Sequence, residues 1–407
     1  MRYDIKCKGE DFVLKEQITN ELKMPEERYG FSEVLNTQRN KIDKIDTDVW
    51  KKVRWYINDY DFLVKDPIIN RAFYKYWEII NEFGIFENYK DTDIIFHCAE
   101  APGGFIQGSN IYLQLENKLI PKLKIEPLID QDGFTTVKSK RKEPKDYKIY
   151  TISLNRDLSQ YRSYNLPSYN KSILNKHISI VYGKDNTGDI NNLDNIDWIA
   201  NKSGGFNNFF LITADGGFDE GNDFNNKEQL HYFLILNEIY SAIALQKQGG
   251  SFILKVFDIF TETSIQLIFL LNTLYDSIFV YKPKTSRPTN SEKYIICKNF
   301  NPPSTQYLEK IKNALYNLSK NLRSRKMKYA TFSLFEKTPE AFITKIREMN
   351  TIFIKAQCDF LEKAIVYCDN TEFIKNYDIE LSNSIEKRKA VFREWEKKYN
   401  LDSYIPS

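Results

Sequence analysis

Residues 207–258 decide the fold. NNFFLITADGG (207–217) is an apolar run closed by an acid and two glycines, EQLHYFLILNEIYSAIALQKQ (228–248) is a long apolar helix, and GGSFILKVFD (249–258) is a second apolar run. Short apolar runs bounded by glycine read as strands buried on both faces. The helical span between them is long enough to cover one of those faces, so the unit predicts parallel pairing. The pattern repeats outward. DIIFHCAEAPGG (93–104) is a strand entering a Gly-rich turn, and NRAFYKYWEIINEF (70–83) before it sets Phe73, Trp77, Ile80 and Phe83 on one helix face. IYTISL (149–154) is a further strand, TETSIQLIFLLNTL (261–274) a further helix, and SIFVYKP (277–283) with KYIICKNF (293–300) forms a hairpin across a polar turn. Strands alternating with helices predict an α/β protein, mostly parallel, with helices on both sheet faces and one antiparallel edge strand.

Around this core (61–300) the pattern changes. Residues 1–60 are polar, with helical fragments EQITNELK (16–23) and TDVWKKVRWYI (47–57), and read as an N-terminal helical extension. Residues 115–148 show no periodicity and read as an insertion. Pro302 and Pro303 break the chain, after which Leu308, Ile311, Leu315, Leu318 and Leu322 recur on one helix face; 301–407 is a C-terminal helical region.

The 407 residues carry 58 basic and 55 acidic side chains, a net charge of only +3. A nucleic-acid enzyme built from this chain has to concentrate positive charge locally. Two basic segments are candidates, KSKRKEPK (138–145) and NLRSRKMK (321–328), although each also reads as a solvated face. The five cysteines form no CxxC pair and the three histidines are dispersed, so no metal site is expected and a reducing compartment is. The charged N-terminus lacks the apolar stretch of a secretory signal, and no run spans a bilayer. An intracellular protein without a membrane partner is expected, with the cytoplasm favoured (a replication site or the virion if viral, the nucleus if cellular).

Four places carry chemistry. Glu100-Ala101-Pro102-Gly103-Gly104-Phe105 joins a strand to a helix, where bare backbone and helix N-terminal amides suit a polar ligand; tight Gly-Gly turns also serve structure alone. The loop 182–190 (YGKDNTGDI) puts Asp189 where it could accept from an exocyclic amine, or is simply a good turn. Asp215 ends a strand at the carboxyl edge of the sheet, where open α/β sheets bind ligands. Lys255 lies inside the apolar FILKVF, a costly place for an amine without a partner or a function.

FHCAEAPGGF, YGKDNTGDI, LITADGGFD, GGSFILKVF and KPKTSRPTNSEKYIIC follow the order and spacing of the FtsJ-type ribose 2′-O-methyltransferases. The chain most resembles their cap methyltransferase 2 group and its relatives in large DNA viruses. The resemblance covers roughly residues 70–300. It implies a Rossmann-like methyltransferase fold with a seven-stranded sheet and S-adenosyl-L-methionine as cofactor. The substrate it implies is the capped 5′ end of mRNA, with other capping enzymes as possible partners. It also implies a Lys-Asp-Lys-Glu constellation, matched here by Lys75 in AFYKYWEI, Asp215 in TADGG, Lys255 in ILKVF and Glu292 in NSEKY. Gly103, Gly104 and neighbouring Pro102 would then face the methionine moiety of the cofactor and Asp189 and Ile190 the adenine, with Glu100, Ala101, Phe105 and Asp215 also among the cofactor-binding residues. A ribose hydroxyl needs a base, and Lys255, with its pKa drawn down toward about 7–8 by burial and the Lys75 cation, is expected to be that base. Two positions depart from the family: His97 stands where many members have an acid, and Ser153 where another acid ends the second strand. A ribose methyltransferase of ribosomal or transfer RNA and a non-catalytic RNA-binding or capping-complex subunit are the alternative readings.

Overall fold

The computed structural model describes residues 1–8, 13, 33–61, 67–90, 92–119, 127–129, 135–137, 147–217, 224–326 and 334–403. The segments 16–23 and 138–145 lie outside the described residues.

In chain order the first half contains β1 (Arg2–Asp4), α1 (Glu33–Ile42), α2 (Thr47–Tyr56), α3 (Ala72–Glu82), β2 (Ile94–Cys98), α4 (Gly104–Leu119), β3 (Pro127–Ile129), β4 (Thr135–Val137), β5 (Lys148–Ile152) and β6 (Ile178–Val181). The second half contains α5 (Leu193–Ser203), β7 (Phe209–Ala214), α6 (Lys227–Leu245), β8 (Gln246–Val256), α7 (Glu262–Leu274), β9 (Tyr275–Tyr281), β10 (Lys293–Phe300), α8 (Thr305–Ser324), α9 (Glu340–Asp369), α10 (Thr371–Lys375) and α11 (Tyr377–Lys398). Apart from the small β3–β4 ribbon, the strands form one eight-stranded sheet in the order β1-β9-β10-β8-β7-β2-β5-β6.

From β6 to β8 the neighbours are parallel. β10 is antiparallel to both β8 and β9, between which it lies. The reversed strand is therefore internal, not the edge strand its sequence position suggested. KYIICKNF supplies the reason: apolar side chains at consecutive positions need cover on both faces, which an edge denies them. The edge belongs to the short, charged β1, antiparallel to β9, and a three-residue polar strand offers little for another sheet to pair with. It makes eight strands where seven were expected.

Alternation along the strands divides the core in two. Phe96, Ile212, Phe252, Leu254 and Ile295 face one side and pack with α5 to α9. Ile95, Leu211, Ile253, Tyr294 and Ile296 face the other and pack with α3, α4 and the α11 residues Phe392 and Trp395. The C-terminal helices thus cover both faces of the sheet.

Phe269 of α7 is fully buried, with its ring centroid 4.9 Å from that of Phe335 and 5.1 Å from that of Phe342. Phe269→Ala should destabilise the protein by about 3–5 kcal/mol in urea unfolding. A loss below about 1 kcal/mol would show that the segment after α8 does not share the core.

Candidate active site

β7 and β8 are parallel and end at the same sheet edge, where Asp215 follows β7 and Lys255 is the penultimate residue of β8. Because β10 runs the opposite way, it begins where they end, and Glu292 immediately precedes it. Lys75 reaches the same place from α3. Its Nζ lies 2.7 Å from Glu292 Oε1. Lys255 Nζ donates to the Asp215 carbonyl at 2.7 Å and lies 3.4 Å from the Asp215 carboxylate. The four residues expected to act together are brought together, and all four side chains are at least 85% buried.

Burial pushes the Glu292 carboxyl up, but the ammoniums of Lys75 and Lys255, with Lys282 behind them, outweigh it and hold the group well below the usual carboxylate range. For Lys255 the balance runs against expectation. Burial pushes the amine down, yet Asp215, Glu292 and Glu238 together raise its pKa above the ordinary lysine value. With these neighbours Lys255 is an ammonium, not an amine poised near neutrality.

The Gly-rich turn lies alongside. Glu100 is buried; its Oε1 accepts from the Phe105 N–H at 2.7 Å, while Oε2 is buried without a hydrogen-bond partner among the described residues. Burial and the neighbouring Asp215 push this carboxyl well above its usual range. Ser153, at the end of β5, accepts from the Ala101 N–H at 3.0 Å. The Ser153 carbonyl abuts Gly188, whose φ is +70° and where a Cβ would sit 1.9 Å from that oxygen. Only glycine lets the Asp189 loop close onto the turn. Ser153 thus stands where the family pattern has an acid and acts as the joint between the two loops.

Asp189 accepts from the Asn191 N–H at 2.9 Å and lies 3.6 Å from Arg323. Arg323 of the basic segment 321–328 therefore faces this loop. Ile190 and Phe105 are core residues, Phe105 stacked on Tyr76 with 4.7 Å between ring centroids. A Cβ on Gly104 would sit 2.8 Å from the Phe73 nitrogen, so that glycine serves the approach of α4 to α3. His97 is fully buried between Thr213 Oγ1 (2.7 Å) and Ser109 Oγ (3.1 Å), and burial lowers its pKa to about 3. It is a neutral packing residue.

Three residues of the site went unread in the sequence. Tyr294 donates to Asp215 Oδ1 at 2.9 Å; it lies two positions after Glu292, and strand alternation alone could have placed it. Glu238 sits in an otherwise apolar stretch of α6, accepts from the Gly216 N–H at 3.2 Å, and is pushed up to about 8 by burial against the opposing pull of Lys255. Glu78, one helical turn after Lys75, accepts from Tyr281 Oη (2.6 Å), Lys284 N (2.8 Å), Thr285 Oγ1 (3.2 Å) and Trp395 Nε1 (3.0 Å). It ties the helix of Lys75 to the loop that carries Glu292.

The reversed β10, inserted among parallel strands, thus brings paired lysines and carboxylates to one sheet edge beside a Gly-rich turn. Residues 130–300 match the FtsJ-like methyltransferase family. Curated relatives extend the likeness. A cap-specific mRNA (nucleoside-2′-O-)-methyltransferase 1A of Caenorhabditis briggsae is 34% identical over 46% of this chain and 22% of its own length. An inactive cap-specific mRNA (nucleoside-2′-O-)-methyltransferase 1B of the same organism is 30% identical over 46% of this chain and 23% of its own. A cap-specific mRNA (nucleoside-2′-O-)-methyltransferase 2 of Mus musculus is 24% identical over 88% of this chain and 46% of its own. The likeness to the mouse protein extends well beyond residues 70–300, and the chain spans less than half the length of each of these relatives.

Asp215→Asn and Glu292→Gln each remove a negative charge that holds Lys255 protonated. Each should lower the Lys255 pKa by about one unit or more, followed through its 13Cε resonance in a pH titration. An unchanged or raised midpoint in both variants would mean that the carboxylates do not control this amine.

Proposed function

We propose that the chain is an S-adenosyl-L-methionine-dependent methyltransferase acting on a ribose 2′-hydroxyl of capped mRNA, at the first or second transcribed nucleotide. The observation that carries this reading is the meeting of Lys75–Glu292 and Lys255–Asp215 at one sheet edge, next to the Glu100 turn. The unpartnered Glu100 Oε2 fits the amino group of the cofactor's methionine end, and Asp189 fits the adenine amine. When bound, the cofactor supplies an electrophilic methyl group on a sulfonium.

The chain's own residues do the rest. Lys75 and Glu292 hold and orient the hydroxyl, since correct placement alone supplies much of such a rate. Lys255 removes the hydroxyl proton, held in position by the Asp215 carbonyl and carboxylate, while Tyr294 fixes the carboxylate. Because Asp215, Glu292 and Glu238 favour its charged form, the fraction of free amine grows with pH. Cap specificity is supported by what the curated relatives are named for, and other capping enzymes are the partners that specificity would bring.

The inactive Caenorhabditis briggsae relative supports a second reading, a non-catalytic RNA-binding subunit, against which the complete set of four residues stands. The deciding assay is transfer of labelled methyl to capped and uncapped RNA, with nuclease mapping of the modified ribose. Cap-dependent 2′-O-methylation is expected. Label on uncapped RNA alone would point to a ribosomal or transfer RNA enzyme, and no transfer to the binding subunit.

Lys255→Ala and Lys255→Arg should each reduce kcat by about 10²–10⁴, since neither side chain can take the proton. For the wild type, kcat/KM for the cofactor reports the free enzyme and should climb with pH from neutrality into the alkaline range. A profile already flat above pH 8, or an active Lys255→Arg, would remove Lys255 as the base.

A further inference from the structure

Next to Glu292 lies a cavity of about 260 Å³, lined by the loop around Ser286, Pro288 and Ser291, by Tyr60 beyond α2, and by Phe353 and Phe360 of α9. No residue of the Gly-rich turn or of the Asp189 loop belongs to its walls. Its volume is just under the roughly 300–1,000 Å³ of pockets for drug-sized ligands, and its apolar surface is interrupted by Asp59, Lys282, Lys284 and Lys293. Phe360 is 37% exposed, so an aromatic face remains accessible.

Three guanidiniums that act on one another electrostatically neighbour lining residues without belonging to the lining themselves. Arg287 lies between the lining residues Ser286 and Pro288, Arg54 is on α2, and Arg71 immediately precedes α3. Arg71 and Arg287 both pair with the buried Asp61, and Arg71 also donates to the Thr285 carbonyl at 2.7 Å. Arg54 Nε is buried with no hydrogen-bond partner among the described residues. Asp59 also lines the cavity, and Glu292 is engaged by Lys75. Arg71 and Arg287 therefore share one carboxylate while Arg54 has none among the described residues, and burial together with the repulsion between these cations pushes the Arg54 and Arg71 pKa values down. Such an excess of half-buried positive charge is costly until an anion joins it. Guanidinium forks fit a phosphodiester, and an aromatic face fits a base.

We propose that cavity and arginines form one nucleotide subsite for the RNA, with a base in the cavity against Phe360 and its phosphate on Arg54, Arg71 and Arg287. Arg71 and Lys75 are one helical turn apart, about 5–6 Å between Cβ atoms. A phosphate on the first therefore leaves the adjoining ribose at the Lys75–Glu292 pair. The subsite selects the nucleotide that flanks the modified one. This inference rests on the proposed RNA methyltransferase function.

Arg54→Gln, Arg287→Gln and Phe360→Ala separate the two possible failures. Arg54 leaves no partner stranded when removed, and Phe360 is exposed, so neither change threatens the fold. Each variant should raise the RNA KM about tenfold, a change of about 1.4 kcal/mol, while the cofactor KM stays within about twofold of wild type. Each arginine variant should also flatten the dependence of log(kcat/KM) on log salt by about 0.7, one phosphate contact on a single strand. Phe360→Ala should leave that slope unchanged, and Arg54→Lys should restore part of it. Unaltered RNA KM and salt slope in all three variants of an enzyme that methylates RNA would overturn the subsite alone. A wild type that neither binds nor methylates RNA would overturn the function, and the subsite with it.

Discussion

Everything in this site depends on one reversal of chain direction. β10 enters the sheet between β8 and β9, antiparallel to both, so its first residues lie at the edge where β7 and β8 finish. A parallel β10 would begin at the opposite edge and carry Glu292 the length of a strand away from Lys255. The reversal places one carboxylate from a strand start next to one from a strand end, and two lysines fill the space between. Each charge is nearly out of water, so the pairs are obligatory: removing one member of such a buried pair typically costs about 3–5 kcal/mol, because the other is left uncompensated. The charges that suit the site to chemistry also hold its four segments together.

The surrounding acids make the balance finer. Two lysines and two carboxylates sum to zero, but Glu100 and Glu238 sit within reach of the same field. Burial pushes both upward, toward the neutral acid, which keeps the site from accumulating negative charge. Glu238 does so while accepting from the Gly216 N–H, and a side chain at 216 would collide with its oxygen. The glycine after Asp215 therefore makes room for a buried carboxyl, a different reason from the flexibility that a Gly-Gly sequence suggests.

Most of the sheet was legible because its strands are apolar on both faces, a signal that needs no knowledge of neighbours. β1 was not: three residues, RYD, hold no period to read. The internal position of β10 depends on which partner its two apolar faces find, which is a property of the assembled core. The four charged residues were legible through their motif surroundings, whereas the protonation of Lys255 was not. Burial and one nearby cation, the two influences that sequence suggested, both lower its pKa. The carboxylates that reverse the outcome come from three other elements. Glu78 looked like a surface charge on an amphipathic helix and became a buried junction, because α11 folds back over α3 and brings Trp395 to it.

That junction shows why the terminal helices belong to the site's physics. Glu292 rides on the loop between β9 and β10, and a loop of that length would move if it were held only at its ends. Here Lys282 donates to Asn290 and to the Glu292 carbonyl, Gln357 of α9 donates to the Thr289 carbonyl, and Glu78 receives Lys284, Thr285 and Trp395 together. Arg71 and Arg287 add the link through Asp61. The loop is thus clamped from α3, α9 and α11, all of which lie outside residues 130–300 that match the FtsJ-like family. Hydrogen bonds of this kind are individually worth about 0.5–1.5 kcal/mol, yet several converging on one loop fix its geometry far more tightly than any single one. Lys75 and Glu292 can hold a 2.7 Å contact because the fold has already removed the freedom of both backbones. The preorganisation of the site is therefore supplied in large part by helices that carry none of its four charged residues.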